Sequence, residues 1–215
     1  IHIGRTRSGR AVKITASKNL TLRHVLEESL YRKGLDMIGV IDAHSPEVLE
    51  EIKEMISNGE AVEMTGGGVR YKEGITVICG TALEIYDHKC KGPIHVLCFF
   101  PTMEAMESFS IWCSERMKNI QLSSQRIYAT GMEVQEKVKS LAGLFIPAHI
   151  FTPFKSLYGK GVDESLLEVF NPKLIDAVEL GLSSDTSMAS ELKELIPYPF
   201  LSNSEAHSSG KIARE

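Results

Sequence analysis

The chain has 215 residues, of which 43% are hydrophobic, and a formal net charge of −4 at pH 7. This length allows one sizeable hydrophobic core, and we expect a single domain over residues 1–215. The small negative charge excludes attraction of nucleic acid by overall charge, so DNA binding would need a local basic surface. No apolar run approaches the ~20 residues of a membrane span, and the four cysteines form no C-x-x-C pair, so we expect a cytoplasmic protein.

The chain begins with an apolar segment that contains His2, followed by a basic, glycine-containing stretch with Arg5 and Arg7. These arginines are candidates for binding a substrate phosphate. A solvated charged loop is the commoner cause of such a pattern, and both interpretations stay open here. An amphipathic helix over residues 20–30, capped by Asn19, is predicted next.

The following segment, residues 37–41, is the first clear strand. It is apolar on both faces, as in a strand that is covered on two sides, and it ends in Asp42 and His44. Pro46 then opens a predicted helix, and three glycines at 66–68 indicate a turn between two strands. The remaining pattern predicts strands over residues 75–79, 82–85, 93–100, 144–149 and 174–180, a last strand into residue 203, and helices around residues 103–117, 132–141, 163–170 and 187–195.

Acidic and histidine side chains collect where the apolar runs end, and this feature decides the predicted architecture. Alternation of strands and helices favours right-handed βαβ units and a parallel sheet. An open doubly wound sheet would satisfy the alternation as well. Because side chains at almost every strand end must converge on one point to form a site, we predict a (β/α) barrel with its site at the C-terminal ends of the strands.

The side chains at these strand ends are a metal-binding set by composition. They comprise His2, Asp42, His44, Glu84, His149, Glu205 and His207. Imidazoles and carboxylates without thiolates suit zinc, manganese or iron, and so many donors exceed what one ion uses, so we expect two or three divalent ions (Zn, Mn, Mg or Fe). Clustered ions favour phosphoester hydrolysis. His95 and Glu179 are weaker candidates, as ligands or as partners that orient a ligand.

Several of these residues stand in motifs of a known family. Ile1-His2, Asp42-x-His44, Glu84, Pro147-Ala148-His149 and Asn203-Ser204-Glu205-Ala206-His207 together resemble the PHP (polymerase and histidinol phosphatase) family, over essentially the whole chain. The segments at 92–97, 146–160 and 178–185 resemble its endonuclease Q branch. The resemblance implies a distorted seven-stranded β/α barrel with a metal cluster, in which Glu84, His149 and Glu205 serve catalysis.

The same resemblance implies an activity and the length of the protein. The expected activity is a DNA endonuclease that nicks on the 5′ side of deaminated bases (uracil, hypoxanthine, xanthine) or abasic sites. The family's opening H-x-H motif would place one more histidine just before Ile1, and members usually continue into a cysteine-rich zinc module and a helical region, so we expect a fragment. Glu205 departs from the family, which has Asp there.

The loop after residue 150 is the candidate substrate-binding segment. It mixes aromatic and basic residues, and we expect Phe151, Phe154, Lys155, Tyr158 and Lys160 to hold a flipped base and its phosphates. Alternatively, the aromatic side chains only cover the end of the barrel.

Two other functions remain open from the sequence. One is a phosphatase for small phosphomonoesters that uses the same metals, and the other is a non-catalytic metal-binding scaffold. The substrate we expect is DNA with deaminated bases. A replication or repair clamp is a candidate protein partner that the sequence leaves open.

Overall fold

A computed structural model describes residues 1–214 as a mixed α/β fold with nine strands. The strands are β1 (Met37–Val40), β2 (Ala61–Glu63), β3 (Val69–Tyr71), β4 (Ile75–Ile85), β5 (Ile94–Phe100), β6 (Arg126–Ile127), β7 (Leu144–Pro147), β8 (Val178–Glu179) and β9 (Phe200–Leu201). The α-helices are α1 (Leu22–Glu27), α2 (Pro46–Ser57), α3 (Met103–Ser114), α4 (Gly131–Ser140) and α5 (Thr186–Ser190). Short π-helical or 3₁₀ turns occupy Glu28–Arg32, Leu157–Gly161, Leu166–Glu168, Pro172–Leu174, Lys193–Leu195 and Ser209–Lys211.

The helices follow local capping rules, with three departures from the sequence prediction. The helix expected around residues 187–195 is divided into α5 (Thr186–Ser190) and a 3₁₀ turn at Lys193–Leu195. Thr21, not Asn19, caps α1 by accepting a hydrogen bond from the His24 amide. The helix expected over residues 163–170 shrinks to one 3₁₀ turn. The Glu168 carboxylate accepts hydrogen bonds from three successive backbone amides, 163–165, and so satisfies these donors without a longer helix.

The strands do not form the closed, parallel barrel that we predicted. Seven of them make one sheet in the order β2-β3-β4-β5-β7, with β1 and β6 paired to β4, and most of its ladders are antiparallel. The reason is the length of the connections: β4 and β5 are joined by residues 86–93, too few for the crossover that parallel strands need. Strands β8 and β9 form a separate parallel pair.

Backbone hydrogen bonds nevertheless extend the sheet into a curved wall. The Asp176 amide donates to the Phe145 carbonyl and the Ile150 amide to the Glu179 carbonyl, which connects β7 to β8. On the other side, Ile1 bonds to the backbone of β1 through Gly39 and Ile41. Within residues 1–214 no strand ladder joins β9 to this first segment, so the wall stays open.

The apolar residues divide between the outside and the inside of this wall. The main core lies where the helices pack on the outer face, with large buried side chains such as Phe100, Phe109 and Phe145. A second, smaller cluster lies on the inner face and consists of Ile41, Ala82, Leu97, Ile146, Ala148 and Ala177. Its residues come from five different strand regions, and it forms the apolar floor beneath the candidate site.

Within residues 1–214, no helix combines the length and the hydrophobicity that crossing a bilayer requires.

Candidate metal and phosphoester site

The strand directions explain why one edge of the wall gathers the polar side chains. Strands β1, β4, β7, β8 and β9 run the same way, so their C-terminal ends share an edge. Strand β5 runs in the opposite direction, and therefore its first residues lie at that same edge. His95, the second residue of β5, is the direct neighbour of Glu84 on β4. The antiparallel direction of β5 thus brings His95, a weaker candidate from the sequence, to the same edge as Glu84.

A cavity of about 540 Å³ opens at this edge. The predicted ligands on its wall are His2, His95, His149, Glu205 and His207, joined by Glu179. Its floor includes the apolar side chains Ile41, Ala82, Leu97 and Ala148 of the inner cluster. The fold therefore brings together most of the predicted ligand set, and it does so from strands that are far apart in the sequence.

Three of the predicted ligands form one group, here named the buried cluster: His2, which is buried but still lines the cavity, and Asp42 and His44, which are 0% exposed. Asp42 is 0% exposed and accepts hydrogen bonds from the Ile3 amide (2.6 Å) and from Nδ1 of His2 (3.1 Å). Burial alone would raise the pKa of Asp42, but His2 and the hydrogen bonds to the carboxylate hold it well below its usual range. Asp42 is therefore ionised and fixes the orientation of His2.

This contact determines the tautomer of His2. Because Nδ1 donates to the carboxylate, Nε2 of His2 carries the free electron pair that a metal ligand needs. Burial lowers the pKa of His2, which keeps the ring neutral. Its ring lies edge-on to His207, with 5.0 Å between the ring centroids. Asp42 thus stands behind His2 as the partner that orients it.

His44 does not reach the cavity. It is 0% exposed, and both of its ring nitrogens have partners: Nδ1 lies 2.7 Å from Oγ1 of Thr81 and Nε2 lies 3.3 Å from the Leu122 carbonyl oxygen. A carbonyl only accepts, so Nε2 carries the proton and Nδ1 accepts from Thr81. Both nitrogens are thus used within the protein, so neither is available to a metal ion in the cavity.

The second group, here named the open cluster, consists of Glu84, His95, His149 and Glu205. Its contacts are longer than hydrogen bonds between good partners: 3.3 Å from His95 Nδ1 to His149 Nε2, 3.6 Å from His95 Nε2 to Glu84 Oε2, and 3.7 Å from His149 Nε2 to Glu205 Oε1. Among residues 1–214, Nε2 of His95 is buried without a hydrogen-bond partner. The open cluster therefore has unused ligand atoms.

Partners outside the open cluster fix the orientation of His149. Its Nδ1 lies 2.9 Å from the Thr152 hydroxyl, which itself lies within donating distance of two carbonyl oxygens, so Nδ1 donates and Nε2 keeps its electron pair. The His149 amide donates to Oε2 of Glu179 (3.0 Å), and Asn203 donates to the other oxygen of that carboxylate (2.6 Å). Glu179 and Thr152 thus hold His149 from two sides.

The pKa values of three open-cluster residues, His95, His149 and Glu84, suit metal binding near neutral pH, whereas burial raises the pKa of Glu205. Burial lowers the pKa of both His95 and His149, so the rings are neutral. The contacts of Glu84 with His95 and Lys155 lower the pKa of this carboxyl to about 2, so it is ionised. Neutral imidazoles and ionised carboxylates are the protonation states that a metal ligand requires.

Several residues with a left-handed backbone line the cavity or lie in the loop beside it. His149 has φ 33°, Glu205 has φ 42°, Ser124 has φ 52° and Lys155 has φ 55°. Each lies in the left-handed region, which costs ~1–2 kcal/mol for a residue with a side chain. Such strain persists where the surrounding structure enforces it, and it is most common at functional sites.

The donor atoms fit divalent cations in type and in pairwise spacing. Two ligand atoms on one tetrahedral ion at ~2.0–2.1 Å lie ~3.4 Å apart, close to the separations in the open cluster. No three histidine, cysteine, aspartate or glutamate side chains of residues 1–214 converge tightly enough to define a complete site as arranged. Side-chain rotation would have to complete the coordination.

The predicted substrate-binding arginines lie elsewhere. Arg5 donates to the Gly9 carbonyl oxygen, and Arg7 forms an ion pair with Glu54 on α2. Neither lines the cavity. Lys13, farther along the same basic stretch, does line it.

The five loop residues divide into two groups. Phe151 stacks on Tyr158 with 5.4 Å between the ring centroids, both pack against the core, and the Tyr158 hydroxyl donates to Glu194. By contrast, Phe154 is 71% exposed and Lys160 lies over its ring. Lys155 reaches the open cluster, with its Nζ 2.8 Å from Oε2 of Glu84.

Some functional contacts had no signal in the sequence. Thr152 and Ser123 act through single hydrogen bonds to His149 and His2, respectively. Gly181 has φ 72°, and a Cβ there would lie 2.7 Å from the Cβ of His149. A small residue in a loop is common, so only the packing shows that this one makes room for a histidine.

No family model matches the chain. The uncharacterized protein YqxK of Bacillus subtilis is 62% identical over all 215 residues, which are 55% of its length. An uncharacterized protein of Methanocaldococcus jannaschii is 57% identical over 58 residues, 27% of this chain and 7% of that protein.

Among solved structures, the lesion-specific endonuclease PfuEndoQ of Pyrococcus furiosus superposes with a TM-score of 0.80 and 28% identity, over 100% of this chain and 50% of its own. Endonuclease Q bound to a 27-mer duplex with an abasic lesion at the active site gives 0.77 and 28%, over 97% of this chain and 49% of its own. A Bifidobacterium adolescentis protein described as a metal-dependent phosphoesterase gives 0.53 and 13%, over 97% of this chain and 87% of its own, a likeness of fold. The chain thus spans about half the length of YqxK and of the endonuclease Q structures.

Proposed function

We propose that the chain, which resembles the PHP family and is similar to endonuclease Q, hydrolyses a DNA phosphodiester bond during the repair of damaged DNA, with the help of divalent metal ions. The expected cut lies 5′ to a deaminated base (uracil, hypoxanthine or xanthine) or an abasic site. The observation that supports the proposal is the open cluster, in which Nε2 of His95 has no hydrogen-bond partner among residues 1–214, in a chain that superposes along its whole length on half of a lesion-specific endonuclease.

Two or three divalent ions would be held by nitrogen and oxygen donors of the cavity wall and by Glu84, which lies beside His95. We assign this role to His2, Glu84, His95, His149, Glu205 and His207, with Asp42 orienting His2. When bound, such ions act as Lewis acids on a phosphoester and on its attacking water. Zinc, manganese, magnesium and iron all remain candidates, because imidazoles with carboxylates suit several of them.

The residues of the chain itself supply orientation and electrostatic balance. Thr152 and Glu179 fix the ring and the backbone of His149, and Asp42 fixes the tautomer of His2. Lys155 neutralises Glu84 in the absence of other cations. Orienting partners of this kind typically contribute 10–100-fold to metal affinity or activity.

DNA contact is assigned to the exposed part of the loop. Phe154 and Lys160 offer an exposed ring and a cation, which suit base stacking and phosphate binding. Phe151 and Tyr158 pack inward, which favours a covering role for these two. We extend the proposal to the whole protein by analogy with endonuclease Q: residues 1–215 form one catalytic domain, and lesion recognition uses further parts.

The test is a nicking assay with the protein in its natural full length. An end-labelled duplex with one deoxyuridine, one deoxyinosine or one abasic site is incubated with Mn²⁺, Mg²⁺ or Zn²⁺ beside an undamaged duplex. We expect lesion-dependent nicking that falls more than ~100-fold in His149→Ala. His88→Ala is the matched control, because His88 is exposed and lies outside the cavity. If the protein hydrolyses small phosphomonoesters but does not nick DNA, the endonuclease proposal is wrong and the protein is a phosphatase. If it hydrolyses neither substrate, a non-catalytic scaffold is favoured.

A further inference from the structure

Lys13 is the one residue of the basic N-terminal stretch that lines the cavity. It shares the wall with His2, Ser124 and Glu205. Its backbone is tied to the segment that carries His2, because the Lys13 amide donates to the Ile3 carbonyl oxygen at 2.9 Å. Two neighbouring backbone hydrogen bonds, from the Val12 amide to the Gly4 carbonyl oxygen and from the Ser123 amide to the Val12 carbonyl oxygen, stabilise the same segment. The position of Lys13 is therefore as well defined as that of His2.

The charge of Lys13 has no carboxylate partner within residues 1–214, unlike the charges of Arg7 and Arg10. Arg7 pairs with Glu54 and Arg10 pairs with Glu47. The ammonium of Lys13 instead donates to the Ser124 hydroxyl at 2.8 Å, and within residues 1–214 it forms no ion pair with a carboxylate. An ammonium has three donors, so two remain for another partner.

A half-buried ammonium group without an ion pair is energetically unfavourable unless a bound ligand supplies an anionic partner. Burial of a charge is costly without a charged or hydrogen-bonding partner, and burial indeed lowers the pKa of Lys13 while Asp42 opposes this shift. Ser124, which holds the ammonium, is one of the residues with a strained backbone at the cavity. Both features indicate a position kept for binding.

We propose that Lys13 binds a non-bridging oxygen of the substrate phosphate at the cavity, and that Ser124 positions its ammonium. A phosphodiester oxygen is anionic and accepts strong hydrogen bonds from an ammonium. The carboxylates of Glu84 and Glu205 would repel the DNA phosphates, and the positive charge of Lys13 on the cavity wall compensates for part of that repulsion. This inference rests on the proposed function, because it assigns a phosphodiester to the cavity.

Binding measurements isolate this role from catalysis. Lys13→Gln and Lys13→Arg are compared in the full-length His149→Ala background, which prevents cleavage, with an abasic duplex at several salt concentrations. We expect Lys13→Gln to weaken binding at least ~10-fold and to reduce the slope of log affinity against log salt by about 1. Lys13→Arg should restore most of both. Lys18→Gln is the matched control, since it removes the same charge from an exposed neighbour outside the cavity.

Two further readouts separate phosphate binding from a structural role. In a nicking-competent background, Lys13→Gln should raise KM more than it lowers kcat, with unchanged metal content and melting temperature. Ser124→Ala should show a smaller effect in the same direction. Unchanged affinity and salt slope in Lys13→Gln, or a loss of metal together with activity, would overturn the assignment.

The inference and the proposed function fail in different ways. Calorimetric titration with inorganic phosphate in the presence of Mg²⁺ tests Lys13 without DNA. If the wild type nicks no DNA but Lys13→Gln abolishes phosphate binding, the endonuclease is wrong and the phosphate contact stands. If the wild type nicks lesions while Lys13→Gln binds DNA and phosphate normally, the endonuclease stands and the Lys13 contact is wrong.

Discussion

The buried cluster and the open cluster contain the same kinds of side chain at the same edge of the sheet, yet they differ in how far their hydrogen bonds are satisfied. In the buried cluster Asp42 and both nitrogens of His44 are used within the protein. In the open cluster the contacts are 3.3–3.7 Å long and one nitrogen of His95 has no partner within residues 1–214. The first arrangement stabilises the fold, and the second leaves atoms available for a ligand.

The difference teaches that residue type alone does not separate a ligand from a structural residue. His44 and His149 both follow apolar strands, but only His149 keeps an unprotonated nitrogen facing the cavity. Substitutions in the buried cluster should therefore change stability first, and substitutions in the open cluster should change metal binding and activity first.

The largest expected effect is on stability. Asp42→Ala leaves the Ile3 amide and Nδ1 of His2 without their acceptor in a buried site, and we expect a loss of ~3 kcal/mol in the free energy of unfolding. The measurement is urea denaturation of the metal-free protein. Glu205→Ala serves as the open-cluster control and should change this free energy by less than ~1 kcal/mol. Equal losses in the two variants would contradict the distinction between the clusters.

A second substitution addresses the support of the open cluster. Gly181→Ala places a methyl group 2.7 Å from the Cβ of His149 and adopts a left-handed φ, so His149 must move. We expect a ~10–100-fold loss of nicking and a destabilisation of ~1–2 kcal/mol. Kinetics and thermal denaturation measure the two effects. Gly66→Ala is the control, since no atom lies within 4 Å of the added methyl. Wild-type kinetics in Gly181→Ala would contradict the role of Gly181 in positioning His149.

The pH dependence of stability tests the neutral state of the histidines. Burial, aided by the nearby His2, lowers the pKa of His207 from its ordinary 6.5 to about 4. Between these values the unfolded chain binds more protons than the folded protein, so stability is full above pH 6.5 and falls as the pH is lowered to 4. In EDTA, denaturation at several pH values should show this fall, and His207→Gln should flatten it. The same slope in both proteins would contradict a neutral His207.

The smallest expected effect concerns Glu205. We expect Glu205→Asp to retain or raise nicking activity, because the family has Asp at this position and Asp tolerates the φ of 42° better than Glu. The measurement is kcat/KM on a lesion-bearing duplex. A clear loss of activity in Glu205→Asp would contradict this prediction and show that the longer side chain is needed to reach the metal ions.

Much of the local structure follows from the sequence. Pro46 opens α2 as predicted, the glycines at 66–68 form the turn between β2 and β3, and the apolar runs at 75–85 and 94–100 are strands. These features depend on a few neighbouring residues, so nearby composition is enough to predict them. The gathering of acidic and histidine residues at strand ends also predicts where the cavity lies.

Strand direction and side-chain pairing were decided by the tertiary structure alone. The alternation of strands and helices predicts parallel strands, but the short connection between β4 and β5 makes these two strands antiparallel. The antiparallel pairing places His95 beside Glu84. The sequence by itself determined the elements, the donor types and the edge that carries them, because these are local properties. Only the tertiary structure decided that both ring nitrogens of His44 contact Thr81 and Leu122, whereas His149 and Lys13 line the cavity. The reason is that hydrogen-bond partners come from distant parts of the chain.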